Sequence, residues 1–185
     1  KNFHASSTSS RLAKSVASTS PLAPVVSCGT QQYVAAAGVI RALSGPATGL
    51  GVTQLAVADC AAMPQDTAVV APLFVQATTG QDVHAVMEGK LRHVHGYSQL
   101  MQLNGSRPLV VLRWRADTMN GQGFGAPLLF DGEFVRFEGR GEVYRYSDNA
   151  LHHVTDYGSL IALGGGVLPA ISIVAPGYAQ SFDVG

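Results

Sequence analysis

The residues of this 185-residue chain whose types suit chemistry are few. Two cysteines, Cys28 and Cys60, lie far apart. Zinc sites recruit close pairs of ligands, so this spacing fits no zinc pattern. The thiols are either buried and free or joined as a disulfide. The disulfide is the expectation, and closing a loop of this length would contribute about 3 kcal/mol. His93 and His95 stand two apart and would share one face of a strand. With His84, His152 and His153 they offer imidazole nitrogens to a metal. His93 and His153, however, are equivalent positions of an internal repeat, set out below. A side chain kept at the same place in two copies is more simply framework, so no metal and no cofactor is expected.

Other catalytic patterns are weaker still. No Gly-x-Ser-x-Gly surrounds any serine. Glu138 and Glu142 flank Gly139-Arg140-Gly141 and look like solvated turn charge. Without a nucleophile, base and orienter, no catalytic residue is assigned and an enzyme is not expected. Gly121-Gln122-Gly123-Phe124-Gly125 runs into Pro127 rather than a helix, so it reads as a turn between repeats. The aromatic residues offer a different chemistry. Sugar sites pair a ring face with polar groups that bond hydroxyls. Trp114, Tyr144 and Tyr146, with Arg136 and Arg145, are the ligand-binding candidates on that ground. Arg113 and Arg115 flank Trp114 and belong on the opposite strand face. Tyr97 and Tyr157 are repeat-equivalent and are expected in the core.

The elements that must position these residues come from a duplication. Phe74–Gly105 lies over Phe134–Gly165 without a gap, at a shift of sixty residues. Ten of thirty-two positions are identical, among them Leu91/Leu151, His93/His153, Val94/Val154, Tyr97/Tyr157 and Leu103/Leu163. Chance would give roughly two. Both copies continue, into Pro108-x-Val110-x-Leu112 and Pro169-x-Ile171-x-Ile173. A degenerate copy precedes them: Gly38-Val39-Ile40-Arg41-Ala42-Leu43 matches Gly89-Lys90-Leu91-Arg92-His93-Val94, and Leu50-Gly51-Val52 is set against Met101-Gln102-Leu103.

In the last copy, Phe134–Phe137, Glu142–Tyr146, Leu151–Val154 and Ala170–Val174 read as strands. Asp156 caps a helical turn between the third and fourth, with Leu160 and Leu163 on one face and Gly164 ending it. Val83/Val143, Leu91/Leu151 and Leu103/Leu163 are expected to face the interior. The fold class is therefore all-β: tandem pseudo-symmetric repeats of about 60 residues, four short strands each, closed in a β-trefoil-like or propeller-like body. The organisation is a Ser/Thr/Ala-rich arm over 1–24, a degenerate first repeat over 25–70, a second over 71–130 and a third over 131–185.

Asp131-Gly132-x-Phe134-Val135-Arg136, Val143-Tyr144, His152-His153-Val154 and Leu163-Gly164 together resemble a short β-repeat of secreted and cell-surface bacterial proteins. Its strands read DG-x-x-VR, VY and H-V, and an LG turn follows. The resemblance implies an extracellular binding or structural module and brings no catalytic residue.

Composition narrows the partners. Twelve basic and twelve acidic side chains cancel, so nucleic acid is not an expected partner. Nothing reaches the length of an apolar membrane span, and residues 1–24 hold no signal-peptide core. Residues 25–70 carry only Arg41, Asp59 and Asp66, and that stretch is expected to pack against a neighbour. Asn104-Gly105-Ser106 is a glycosylation pattern. The expected function is a secreted or cell-surface, non-enzymatic repeat module. Its partner is a surface polysaccharide or a neighbouring protein subunit, a second copy included. A lectin-like sugar binder is the main alternative, and a small hydrolase or metal enzyme the last.

Overall fold

The computed structural model describes residues 23–45 and 49–185. The arm expected over 1–24 lies almost wholly outside the described residues. Three similar units follow, each built on its own mixed sheet.

The first unit runs β1 (Val25–Cys28), β2 (Gln31–Ala36), β3 (Val39–Ser44), β4 (Val52–Leu55), α1 (Val57–Ala61) and β5 (Gln65–Val70). β1, β2 and β3 form an antiparallel meander. β4 then returns parallel to β1, and β5 parallel to β3, giving the order β4-β1-β2-β3-β5.

The second unit repeats the plan with β6 (Leu73–Ala77), β7 (Val83–Met87), β8 (Lys90–His93), α2 (Tyr97–Asn104), β9 (Val111–Trp114) and α3 (Ala116–Gln122). Its fifth strand shrinks to one parallel bridge, Leu91 to Phe124. The third unit has β10 (Phe134–Phe137), β11 (Val143–Ser147), β12 (Ala150–Val154), α4 (Tyr157–Leu163), β13 (Ile171–Val174), a 3-10 turn (Pro176–Ser181) and β14 (Asp183–Val184). Its order, β13-β10-β11-β12-β14, is that of the first unit.

One local signal recurs in all three meanders. The β2–β3, β7–β8 and β11–β12 turns place two successive residues at positive φ: Ala37-Gly38, Glu88-Gly89 and Asp148-Asn149. That is the two-residue hairpin turn whose twist matches the flanking strands. It supports the matching of Gly38–Leu43 with Gly89–Val94.

The trefoil-like or propeller-like closure is corrected. The sheets are separate, and each has parallel as well as antiparallel pairs. A parallel neighbour requires a crossover, which α2 and α4 supply. The first and third units also have one strand more than the four expected, because a fifth pairs with the third, while the sheet of the second unit keeps four. Gly121–Gly125 is not a free turn: α3 runs through Gln122, Gly123 caps it, and Phe124 makes the fifth-strand bridge.

The register of the fourth strands corrects a further match. Phe74 pairs with Val111 and Phe134 with Ile171, so the shift of sixty continues and Leu112 is equivalent to Ser172, not Ile173. A slip of one residue would exchange the faces. Likewise Val52 belongs to β4 beside Val25, not to the crossover where Leu103 sits.

Each sheet buries two faces. One face carries Val26, Val75 and Val135 in the three units; the other carries Val25, Phe74 and Phe134. In the second unit the Phe74 face is covered by Leu100 and Leu103 of α2 and by Leu128. In the first unit no such helix is present among the described residues. Its Val25, Val34 and Leu43 pack instead with Val75, Leu112, Trp114 and Met119 of the second unit. The weakly charged 25–70 stretch is thus packed on a neighbour, as expected. Backbone approach seals this contact: a Cβ on Gly49 would lie 2.5 Å from the Gly89 Cα. Gln122 Nε2 donates to the carbonyls of both glycines.

Cys28 of β1 and Cys60 of α1 form a disulfide, with Cα atoms 6.3 Å apart. Both are buried in the first unit's outer cluster, beside Val26 and Ile40.

Candidate functional site

The cross-strand pair His84–His93 lies at the end of the Val75 face. His95, two residues past the end of β8, lies beside His93 on the same side. The ring centroids of His84 and His93 are 5.4 Å apart, and those of His93 and His95 4.8 Å. Phe124 meets His84 edge-on at 5.3 Å. Together with Pro127, Ile173 and Tyr178 they line a cleft of about 200 Å³ where the second and third units meet.

The electrostatics of this cleft favour neutral imidazole. Burial, then the neighbouring His93, lowers the His95 pKa to about 4. Burial lowers that of His84 too, with His93 adding and Asp82 opposing. His84 Nδ1 and His95 Nε2 are buried without hydrogen-bond partners. His93 Nε2 stands 3.9 Å from an Asp82 carboxylate oxygen. Among the described residues, no group of three or more His, Cys, Asp or Glu side chains is placed to hold a metal. His152 and His153 sit in the third unit instead. His153 faces Tyr144 across the strands at 5.5 Å, which repeats the His84–His93 pair at its equivalent position.

The unit junction is held by one polar side chain absent from the sequence candidates. Gln99 of α2 is buried. Its Oε1 accepts from the His95 N–H at 2.7 Å, and its Nε2 donates to Leu128 O at 3.0 Å and to Glu133 Oε1 at 3.1 Å. Glu133 also accepts from the Phe130 N–H. Burial raises the Glu133 pKa, while the Phe130 and Gln99 bonds oppose that rise. No local sequence signal marks Gln99, because two of its three partners are 29 and 34 residues away.

The five aromatic and arginine candidates do not converge. Trp114 is only 2% exposed and belongs to the core shared by the first two units. Its ring face is covered, so it offers no sugar platform. Its flanking arginines are exposed on the other side, as strand alternation requires. Tyr144 and Tyr146 are half-buried on the Val135 face, where they pack on Phe137 and Phe182. Arg136 lies opposite Val143 and Arg145 opposite Phe134, which sets both arginines on the reverse face.

Other placements also differ from expectation. Tyr97 and Tyr157 open their helices on the surface, 71% and 68% exposed, rather than filling the core. Leu91 and Leu151 are fully buried and Val83 and Val143 half-buried, but Leu163 is 46% exposed. Asp156 caps α4 as expected, accepting from the Ser159 N–H at 2.9 Å. Asn104 of the glycosylation pattern is buried, with its amide donating to Arg107 O.

No family model and no curated protein matches the sequence. Among solved structures, the chain aligns with a chain of the periplasmic assembly from the ESX-5 inner membrane complex. The identity is 11% and the TM-score 0.24, over 88% of this chain and 59% of that one. The chain thus spans less than two thirds of the structure it aligns with. Among the described residues no helix is long and apolar enough to cross a membrane.

Proposed function

We propose that this chain is a non-enzymatic repeat scaffold of an extracytoplasmic compartment, which binds neighbouring protein subunits. The observation that carries the reading is the way the units stack. One face of the first sheet has its apolar residues buried by the second unit rather than by an element of its own. A sheet face completed by the next unit is how serial repeat proteins extend and assemble. The Cys28–Cys60 disulfide supports the compartment, since such bonds persist where the surroundings are oxidising. Buried Trp114 and the divided aromatic and arginine residues favour a protein partner over a sugar.

Light scattering after size-exclusion chromatography, with and without chemical cross-linking in an envelope extract, tests this reading. Discrete protein adducts, or a concentration-dependent oligomer, are the expected result. A strict monomer that forms no adducts yet binds glycans on an array would overturn it.

A further inference from the structure

The two junctions between units are built differently. Where the first unit meets the second, Val25, Val34 and Leu43 share one buried core with Val75, Leu112 and Trp114. Hydrogen bonds cross the same junction. Ala71 N donates to Ser44 O, Gln122 Nε2 to Gly49 O, and the Arg107 guanidinium to Val70 O.

No such core joins the second unit to the third. The clusters of the second unit reach Leu128 and those of the third begin at Leu129, so the division falls on one peptide bond. No sheet crosses it. Among the described residues a single hydrogen bond does, from Gln99 Nε2 to Glu133 Oε1 at 3.1 Å. Phe124 of the second unit and Ile173 of the third both line the intervening cleft, yet they stay 43% and 49% exposed. The two surfaces meet there without closing into a core. The chain from Ala126 to Phe130 belongs to no helix or strand.

These features decide what can move. A close-packed core resists rotation, because every interlocked side chain would have to give. A small interface with one hydrogen bond resists it weakly, and relative motion is then the ordinary expectation. Loop residues between two rigid bodies absorb the backbone rotation. The one bond is well placed to hold a closed position. Gln99 is fixed on its own side by the His95 N–H and Leu128 O, and Glu133 on its own side by the Phe130 N–H.

We propose that the Leu128–Leu129 segment is a hinge. The first and second units move as one body, the third swings against them, and the Gln99–Glu133 bond is the latch that keeps the cleft beside His84, His93 and His95 closed. The inference does not depend on which partner the chain binds.

Pulsed electron spin resonance on the full chain, with its disulfide intact, tests this. One pair of spin labels, at Thr79→Cys and Glu142→Cys, spans the hinge. A control pair, at Ala68→Cys and Thr79→Cys, spans the first junction; all three positions are exposed. The distance distribution across the hinge should be about twice as broad as that of the control. Glu133→Ala should broaden it further and shift it to longer distances, leaving the control pair unchanged. Glu133→Gln, which keeps the oxygen that accepts from Gln99, should behave as the parent. Distributions of equal width for the two pairs in the parent would overturn the hinge, and that comparison needs no variant of the latch. A broad distribution that Glu133→Ala leaves unchanged would overturn the latch, as would equal broadening of the control pair.

Discussion

The first and second units share a topology but bury one sheet face by different means. The second unit lays its own helix α2 and Leu128 over Phe74, Ala85 and Val94. The first has Val25, Val34 and Leu43 in the corresponding place and relies on Trp114, Leu112 and Met119 of its neighbour. A unit with its own helix holds its own core. A unit without one depends on the next along the chain. The third unit resembles the second: its clusters around Val135 and Phe134 draw only on residues from Leu129 onward.

The largest expected effect breaks this dependence. Trp114→Ala removes the biggest side chain at the shared face and should cost about 3–5 kcal/mol. Hydrogen exchange should then quicken in β1–β3 as much as in β6–β9, while β10–β12 keep their protection. Loosening confined to the second unit would show that the first holds itself together.

The disulfide marks a second contrast. Cys60 of α1 stands where α3 has Met119, and Cys28 stands where β6 has Ala77. The second unit fills that joint by packing, the first by a covalent link. Cys28→Ala with Cys60→Ala should cost about 3–4 kcal/mol, chiefly by freeing the unfolded chain. Urea midpoints of the variant and parent measure it. A cost near zero would show that packing in the first unit is sufficient.

Acid should act mainly at the second-to-third junction. The folded-state pKa of His95 is about 4, against 6.5 for the free group, and that of His84 is lowered as well. The unfolded chain therefore binds these protons first. The stabilising contribution is whole above about pH 6.5 and declines as pH falls toward 4. Glu133, raised by burial, acts in the opposite sense. The urea midpoint should fall between pH 7 and pH 5, and His95→Gln should flatten that slope. An unchanged slope would remove the cleft as the cause.

The smallest difference lies at the helix starts. Asp156 caps α4 through its carboxylate, whereas Gly96 at the start of α2 has no side-chain cap. Asp156→Ala should cost about 1 kcal/mol, and Gly96→Ala should not lose a cap at all. Thermal denaturation of the two variants separates them; equal losses would argue that the cap contributes nothing.

Local chemistry in the sequence settled the antiparallel strands of the repeat and the turn that follows them. The duplicated apolar positions, the paired turn residues such as Asp148-Asn149 and the Asp156 cap act over a few residues, so they were legible without the fold. The disulfide partners were legible because there are only two cysteines. Tertiary structure decided everything that depends on which surfaces meet. Alternation along a strand sets Trp114 apart from its arginine neighbours but does not say which face is covered. Only the stacking of the second unit on the first buries it. The parallel return of β13 beside β10 and the Gln99 junction join residues tens of positions apart, and no short pattern encodes such pairing.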